Sequence, residues 1–239
     1  MTNLLYQTNS YLREMDATVV ALTDDGVVLD QTVFYPGGGG QPADKGILRD
    51  EAGHEYLVRR AKKIKGQIVH LLAGDARPAE GSRVHGVINW DMRYTLMRTH
   101  TAMHILCGVV WRDYSAFVTG GHMEAGKGRM DFEFERMRKE LVKEIEEKIN
   151  LEVAASRPVE VQILPREEAF QIPDLIRTKI NLLPEGITEI RTVNLVGLDL
   201  QADGGTHVAN TSEVGKMIVK GYKSKGKINK RIYFELEER

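Results

Sequence analysis

Short apolar runs broken by glycine and aspartate dominate the first ninety residues. Residues 17–22 (ATVVAL), 26–29 (GVVL), 55–58, 67–72 and 83–88 read as strands, and no helical period intervenes. Closely spaced strands with little helix predict a small barrel. The pattern changes near Trp90. Asp91 reads as the N-cap of a helix from Met92 to about Asp113, in which Tyr94, Met97, Thr101, His104, Ile105 and Gly108 recur at helical spacing. A second helix is predicted from about Glu135 to Leu151, with Leu141, Ile145 and Ile149 as its buried stripe. Residues 166–170 open a short helix. Residues 187–195, 208–209, 216–222 and 230–236 read as strands of an antiparallel sheet. The expected fold class is α+β: a small β-barrel over residues 1–89, then an α+β domain with long helices over residues 90–239.

Composition changes this picture little. A chain of 239 residues with 42% apolar content suits one large domain or two modest ones. Arg13, Glu14 and Asp16 stand where a signal peptide needs an apolar run, and no run reaches the roughly 18–20 residues of a membrane span. The single cysteine, Cys107, excludes an intramolecular disulfide and an all-cysteine zinc site. A cytoplasmic protein is expected, with no membrane partner and no obligate protein partner evident. Net charge is −1, but its distribution is uneven. Arg59, Arg60, Lys62, Lys63 and Lys65 crowd one segment. Lys216, Lys220, Lys223, Lys225, Lys227, Lys230 and Arg231 fall in a stretch without an acid. Such separation gives either a basic face or a plain solvated surface.

The chemistry-bearing residues sit in the second part. His100 and His104 are four apart on the predicted helix, so both rings project from one face. Two imidazoles at that spacing can share a zinc ion at about 2.0–2.1 Å, although a hydrogen-bonded buried pair has the same spacing. Downstream, Asp203 and His207 flank Gly204, Gly205 and Thr206, and the glycines permit a bend that aims both side chains at one point. His100, His104, Asp203 and His207 are therefore the candidate ligands of a Zn2+ cofactor. The zinc-peptidase motif HExxH would need a glutamate where Thr101 stands, which argues against that route to peptide hydrolysis. An ester asks less of a general base.

The His100–x–x–x–His104 pair followed by the DGGTH sequence of residues 203–207 resembles the paired zinc signatures of alanyl-tRNA synthetase editing domains and of their free-standing relatives, the AlaX proteins. The context around both signatures, residues 98–106 (RTHTAMHIL) and 204–211 (GGTHVANT), is similar too. So is residues 34–46 (FYPGGGGQPADKG), similar to the glycine-rich segment of the medium-length AlaX group. The resemblance covers nearly the whole chain. It implies a β-barrel followed by an editing domain, and hydrolysis of mischarged alanine tRNA: Ser-tRNA(Ala), with Gly-tRNA(Ala) as a second candidate. Aminoacylation is not implied, and no P-loop is present.

One departure matters: the family's zinc cysteine falls at Asp203. Zinc can be held by Asp203, or by three histidines with Asp203 orienting a water; Cys107 and His122 are substitutes for the missing ligand. His100, His104 and His207 are the candidate catalytic residues, with Thr119 as the partner of a serine hydroxyl; Thr99 and Thr101 lie within the helix. Gly38, Gly39, Gly40 and Gln41, together with Arg59, Arg60, Lys223 and Lys225, are candidate contacts to substrate and tRNA, the cations through phosphates. Two other readings stay open: a zinc-dependent hydrolase of another aminoacyl-tRNA or of a small ester, and a non-enzymatic RNA-binding module.

Overall fold

The computed structural model describes residues 2–178 and 186–237. Two compact units are present, Met1–Tyr94 and Thr95–Arg239. The first contains β1 (Asn3–Leu4), β2 (Glu14–Thr23), β3 (Gly26–Leu29), β4 (Gln31–Thr32), β5 (Gly46–Asp50), β6 (Glu55–Ile64), β7 (Gln67–Leu72) and β8 (Arg83–Ile88). Six of these close a barrel in the order β2-β3-β7-β6-β5-β8. On β2, Met15, Ala17 and Val19 turn inward while Glu14 and Asp16 face out, the period-two pattern of a half-buried strand. Leu29, Phe34, Leu48, Val58 and Leu72 fill the interior.

The barrel expected from the strand pattern is present, with two differences. Strand β5 lacks an apolar signal, because only Leu48 of its five residues is fully buried. It is held by backbone pairing to both β6 and β8. Strand β6 runs on to Ile64 through Arg59, Arg60, Lys62 and Lys63. Ala61 alone of that stretch points into the core, and a register shift between Val58 and Arg60 hides the alternation.

One buried ion pair fixes the entry to the glycine-rich segment. Arg93 is fully enclosed, and its guanidinium grips the equally buried Asp44 carboxylate through Nε and Nη2. It also donates to the Ser10 carbonyl (3.0 Å) and the Val33 carbonyl (2.5 Å). Asp44 also accepts from the Tyr35 N–H at 2.6 Å. Tyr35 and Asp44 thus bracket the glycines. Gly37, Gly38, Gly39 and Gly40 all have positive φ, between 54° and 137°, where a side chain would be strained. Gly38 and Gln41 exchange both backbone hydrogen bonds, at 3.1 and 2.8 Å, and close the turn.

Helix α1 (Trp90–Tyr114) starts in the first unit, and its residues from Thr95 onward belong to the second. Its cap is Asn89 rather than Asp91: the Asn89 Oδ1 accepts from the Met92 N–H at 3.0 Å. Asp91 lies two positions beyond the cap and contributes a favourable charge in the first turn.

The second unit continues with β9 (Val118–Glu124), β10 (Lys127–Glu133), α2 (Lys139–Ala154), β11 (Val159–Pro165), α3 (Arg166–Ala169), β12 (Glu189–Leu195), β13 (Asp199–Ala202), β14 (Met217–Ser224) and β15 (Asn229–Leu236). Two antiparallel sheets form, β14-β15-β10-β9 and β11-β12-β13. Helix α2 begins at Lys139, four residues later than the pattern predicts. Val142, Ile145 and Ile149 form its buried stripe, with Leu141 only half-buried. Residues 208–209 are not a strand; the Ala209 carbonyl merely accepts one bond from the Val159 N–H. Strands β9, β10, β11 and β13 were not anticipated. Among the described residues no helix is long and apolar enough to cross a membrane.

The Asp44–Arg93 pair generates a prediction. Asp44→Ala leaves a buried guanidinium without its counter-charge, which costs about 3–5 kcal/mol. Denaturant unfolding beside the wild type measures this, and a loss below about 1 kcal/mol would contradict it.

Candidate metal centre

Three stretches of the second unit converge. Helix α1 carries His100 and His104 one turn apart, so both rings leave the same face. Strands β12 and β13 form a hairpin, and the chain then turns through residues 203–207. Asp203 holds that turn. Its Oδ2 accepts from the Gly205 N–H at 2.8 Å, its own N–H donates to the Arg191 carbonyl at 3.0 Å, and Arg191 Nη1 donates to its carbonyl at 2.9 Å. His207 follows and faces the helix.

One donor atom from each of His100, His104, Asp203 and His207 lies within 4.8 Å of the others. His207 Nε2 is 2.9 Å from Asp203 Oδ2, and His100 Nε2 is 3.7 Å from Asp203 Oδ1. The three imidazole centroids are 4.3 to 5.3 Å apart. All three rings are buried.

The second nitrogens of two rings are already engaged. His104 Nδ1 lies 2.9 Å from Asp199 Oδ2 on β13. His207 Nδ1 lies 3.3 Å from Thr101 Oγ1, a hydroxyl that also accepts from the Val208 N–H at 3.2 Å. Burial pushes His100 down to about 4; Asp203 resists the fall, and His104 and Arg191 add to it. Burial, with help from His100, holds His207 well below its usual range. Both rings are therefore neutral bases near pH 7, the form that binds metal. For His104, burial is outweighed by the hydrogen bond and charge of Asp199, which raise it. For Asp203, burial is outweighed by the three histidines, which hold the carboxyl well below the usual carboxylate range.

Comparison with known proteins places this arrangement. Residues 7–92 match the family described as tRNA synthetases class II (A), and residues 190–233 match the threonyl and alanyl tRNA synthetase second additional domain. The alanyl-tRNA editing protein AlaX-M of Methanosarcina acetivorans is 38% identical over 243 residues, covering 99% of each chain. That of Saccharolobus solfataricus is 37% identical over 238 residues, covering 99% of this chain and 100% of its own. The chain belongs to the AlaX-M alanyl-tRNA editing proteins. An alanine–tRNA ligase of Sulfurisphaera tokodaii is 35% identical over 219 residues, which make up 90% of this chain and 24% of the ligase.

In this AlaX-M chain the donor set fits a metal ion. Three imidazoles and one carboxylate are ordinary zinc ligands, and the donors of a tetrahedral site stand about 3.3 Å apart, close to the separations around Asp203. Of the two alternative ligands, Cys107 is buried, burial pushes its thiol well above the usual value, and its Sγ accepts from Gln201 Nε2 at 3.3 Å. His122 is exposed on β9. Neither belongs to the four-residue group.

The remaining candidates lie elsewhere. Thr119 is exposed on β9, and its hydroxyl donates to Asn229 Oδ1 at 3.0 Å. Thr101, inside α1, is the hydroxyl set against His207, while Thr99 bonds the Thr95 carbonyl and the Gly126 N–H. Within the first unit, Gly37 and Gly38 line a cleft of about 510 Å³ with Lys45, Arg59, Arg60 and Lys62. Gly39 and Gly40 are exposed in the turn, and Gln41 is buried behind it. Lys223 is the last residue but one of β14 and Lys225 follows the strand, both exposed. Asp199 was not anticipated, and its one signal is an acid within the apolar stretch 195–200 (LVGLDL).

A thiolate is a softer zinc ligand than a carboxylate. Asp203→Cys is therefore expected to bind zinc more tightly than the wild type, measured by competition with a chromophoric chelator. An affinity unchanged from the wild type would remove position 203 from the metal shell.

Proposed function

We propose that this chain is a zinc-dependent deacylase that hydrolyses the aminoacyl ester of mischarged alanine tRNA, with Ser-tRNA(Ala) as its main substrate and Gly-tRNA(Ala) as a second. The observation that carries this reading is the convergence of His100, His104, Asp203 and His207 in a chain of the AlaX-M family. Those four residues would hold the ion. Zinc bound there supplies Lewis acidity, which favours attack of water on an ester carbonyl.

The chain's own residues orient and select. Thr101 steadies His207 through Nδ1. Rejection of alanine requires a buried polar group that is left unpaired when the substrate lacks a hydroxyl. Thr101 is fully buried beside the histidines but its hydroxyl is already engaged by His207 and the Val208 N–H, and Thr119 is exposed on β9. For the tRNA, the cleft lined by Gly37, Gly38, Lys45, Arg59, Arg60 and Lys62 joins close backbone access to four cations, a combination suited to phosphodiesters. Lys223 and Lys225 are further phosphate contacts. Its expected place of action is the cytoplasm, where alanine tRNA is charged.

The test is deacylation of Ser-tRNA(Ala) beside Ala-tRNA(Ala), with and without chelator. The expected result is hydrolysis of the seryl ester at least about 10²-fold faster than of the alanyl ester, abolished by chelator and restored by zinc. Equal hydrolysis of both esters would overturn the selectivity, and chelator-resistant hydrolysis would overturn the metal mechanism.

A further inference from the structure

Beside the four candidate ligands, a second polar cluster lies against His104. The Asp199 side chain is fully enclosed, and its Oδ2 receives two hydrogen bonds, from His104 Nδ1 at 2.9 Å and from Gln201 Nε2 at 2.6 Å. A carboxylate oxygen only accepts, so Nδ1 carries a proton, and in the neutral ring, the form that binds a metal, Nε2 holds the lone pair. The other oxygen, Oδ1, faces Arg177 Nε at 3.6 Å. Arg177 is itself largely enclosed, with its guanidinium over the Trp111 ring at 4.7 Å from the centroid. The carboxylate therefore has a fixed donor on one oxygen and a counter-charge on the other.

The backbone also makes room for this contact. Gly108 lies one helical turn beyond His104 on α1, where β13 begins to pass. A Cβ at position 108 would stand 2.8 Å from Leu198 Cγ, 3.0 Å from Asp199 Cβ and 3.1 Å from the Leu198 carbonyl oxygen. A larger residue would crowd Leu198 first and Asp199 beside it. A glycine in mid-helix costs about 1 kcal/mol relative to alanine, so its presence here reads as accommodation of the neighbouring strand.

We propose that Asp199 is a positioning residue for the metal centre: through the gap left by Gly108 it fixes the tautomer and direction of His104, so that Nε2 is the nitrogen presented to the ion. The inference rests on the metal reading of the site. Partners of this kind, behind a ligating histidine, typically change metal affinity by about 10–100-fold when removed. Asp199 touches neither substrate nor ion in this account and acts only through His104.

The experiment uses the full chain and zinc itself. Dissociation constants are measured by chelator competition for the wild type, Asp199→Asn, Gly108→Ala and the double variant, with the visible spectrum of the cobalt(II)-substituted proteins as a second readout. Asp199→Asn is expected to weaken zinc about 10–100-fold and to alter the cobalt spectrum. Gly108→Ala is expected to weaken zinc in the same direction, and the double variant no further than Asp199→Asn alone, because both changes break one contact. A merely structural role would lower the melting temperature and leave affinity and spectrum unchanged. Affinity within about twofold of the wild type in both single variants overturns the proposal while the metal centre stands. A wild type that binds no zinc overturns the metal reading and this proposal together.

Discussion

Four titratable side chains enclosed at one point are costly unless their charges and lone pairs are compensated. Three buried imidazoles cannot all be cations, and one carboxylate cannot satisfy all three rings. Much of the second unit's polar architecture answers that constraint. Burial keeps His100 and His207 neutral, and Asp199 sets the orientation of His104. Thr101 occupies the outer nitrogen of His207, and the Arg191 strand clamps the Asp203 backbone from both sides. A metal ion replacing protons among these donors would relieve the remaining conflict.

The first unit solves a related problem with an internal cation. Arg93 neutralises Asp44 and ties together Ser10, Val33 and the start of the glycine-rich turn. The turn's four positive-φ glycines can then hold a shape that no side-chain-bearing sequence would adopt without strain. The cations on β6 and Lys45 line the cleft beside this anchored turn.

What the amino-acid pattern revealed and what it concealed follow from the physics of each element. Alternation on β2 and β8, the short apolar run of β7 and the helical stripe of α1 were legible because several residues repeat one signal. The continuation of β6 was concealed because cations occupy its outer positions and a register shift interrupts its inner ones. The four donor residues were legible from spacing and from family resemblance together. Asp199, Asp44 and Arg93 were not. Each is a single charged residue whose partner is remote in sequence: 95 positions separate Asp199 from His104, and 49 separate Asp44 from Arg93. Thr119 follows the metal helix in the chain, but β9 lies at the sheet edge and leaves it exposed, which chain order does not convey.

The central claim is that His100, His104, Asp203 and His207 bind one zinc ion, with a carboxylate in the position where the family signature has cysteine. X-ray absorption at the zinc edge of the zinc-loaded protein tests it most directly. Nitrogen and oxygen scatterers only are expected, at about 2.0–2.1 Å, with the outer-shell pattern of three imidazoles. A sulfur scatterer at about 2.3 Å would mean that the single cysteine, Cys107, has entered the shell, and would contradict the assignment.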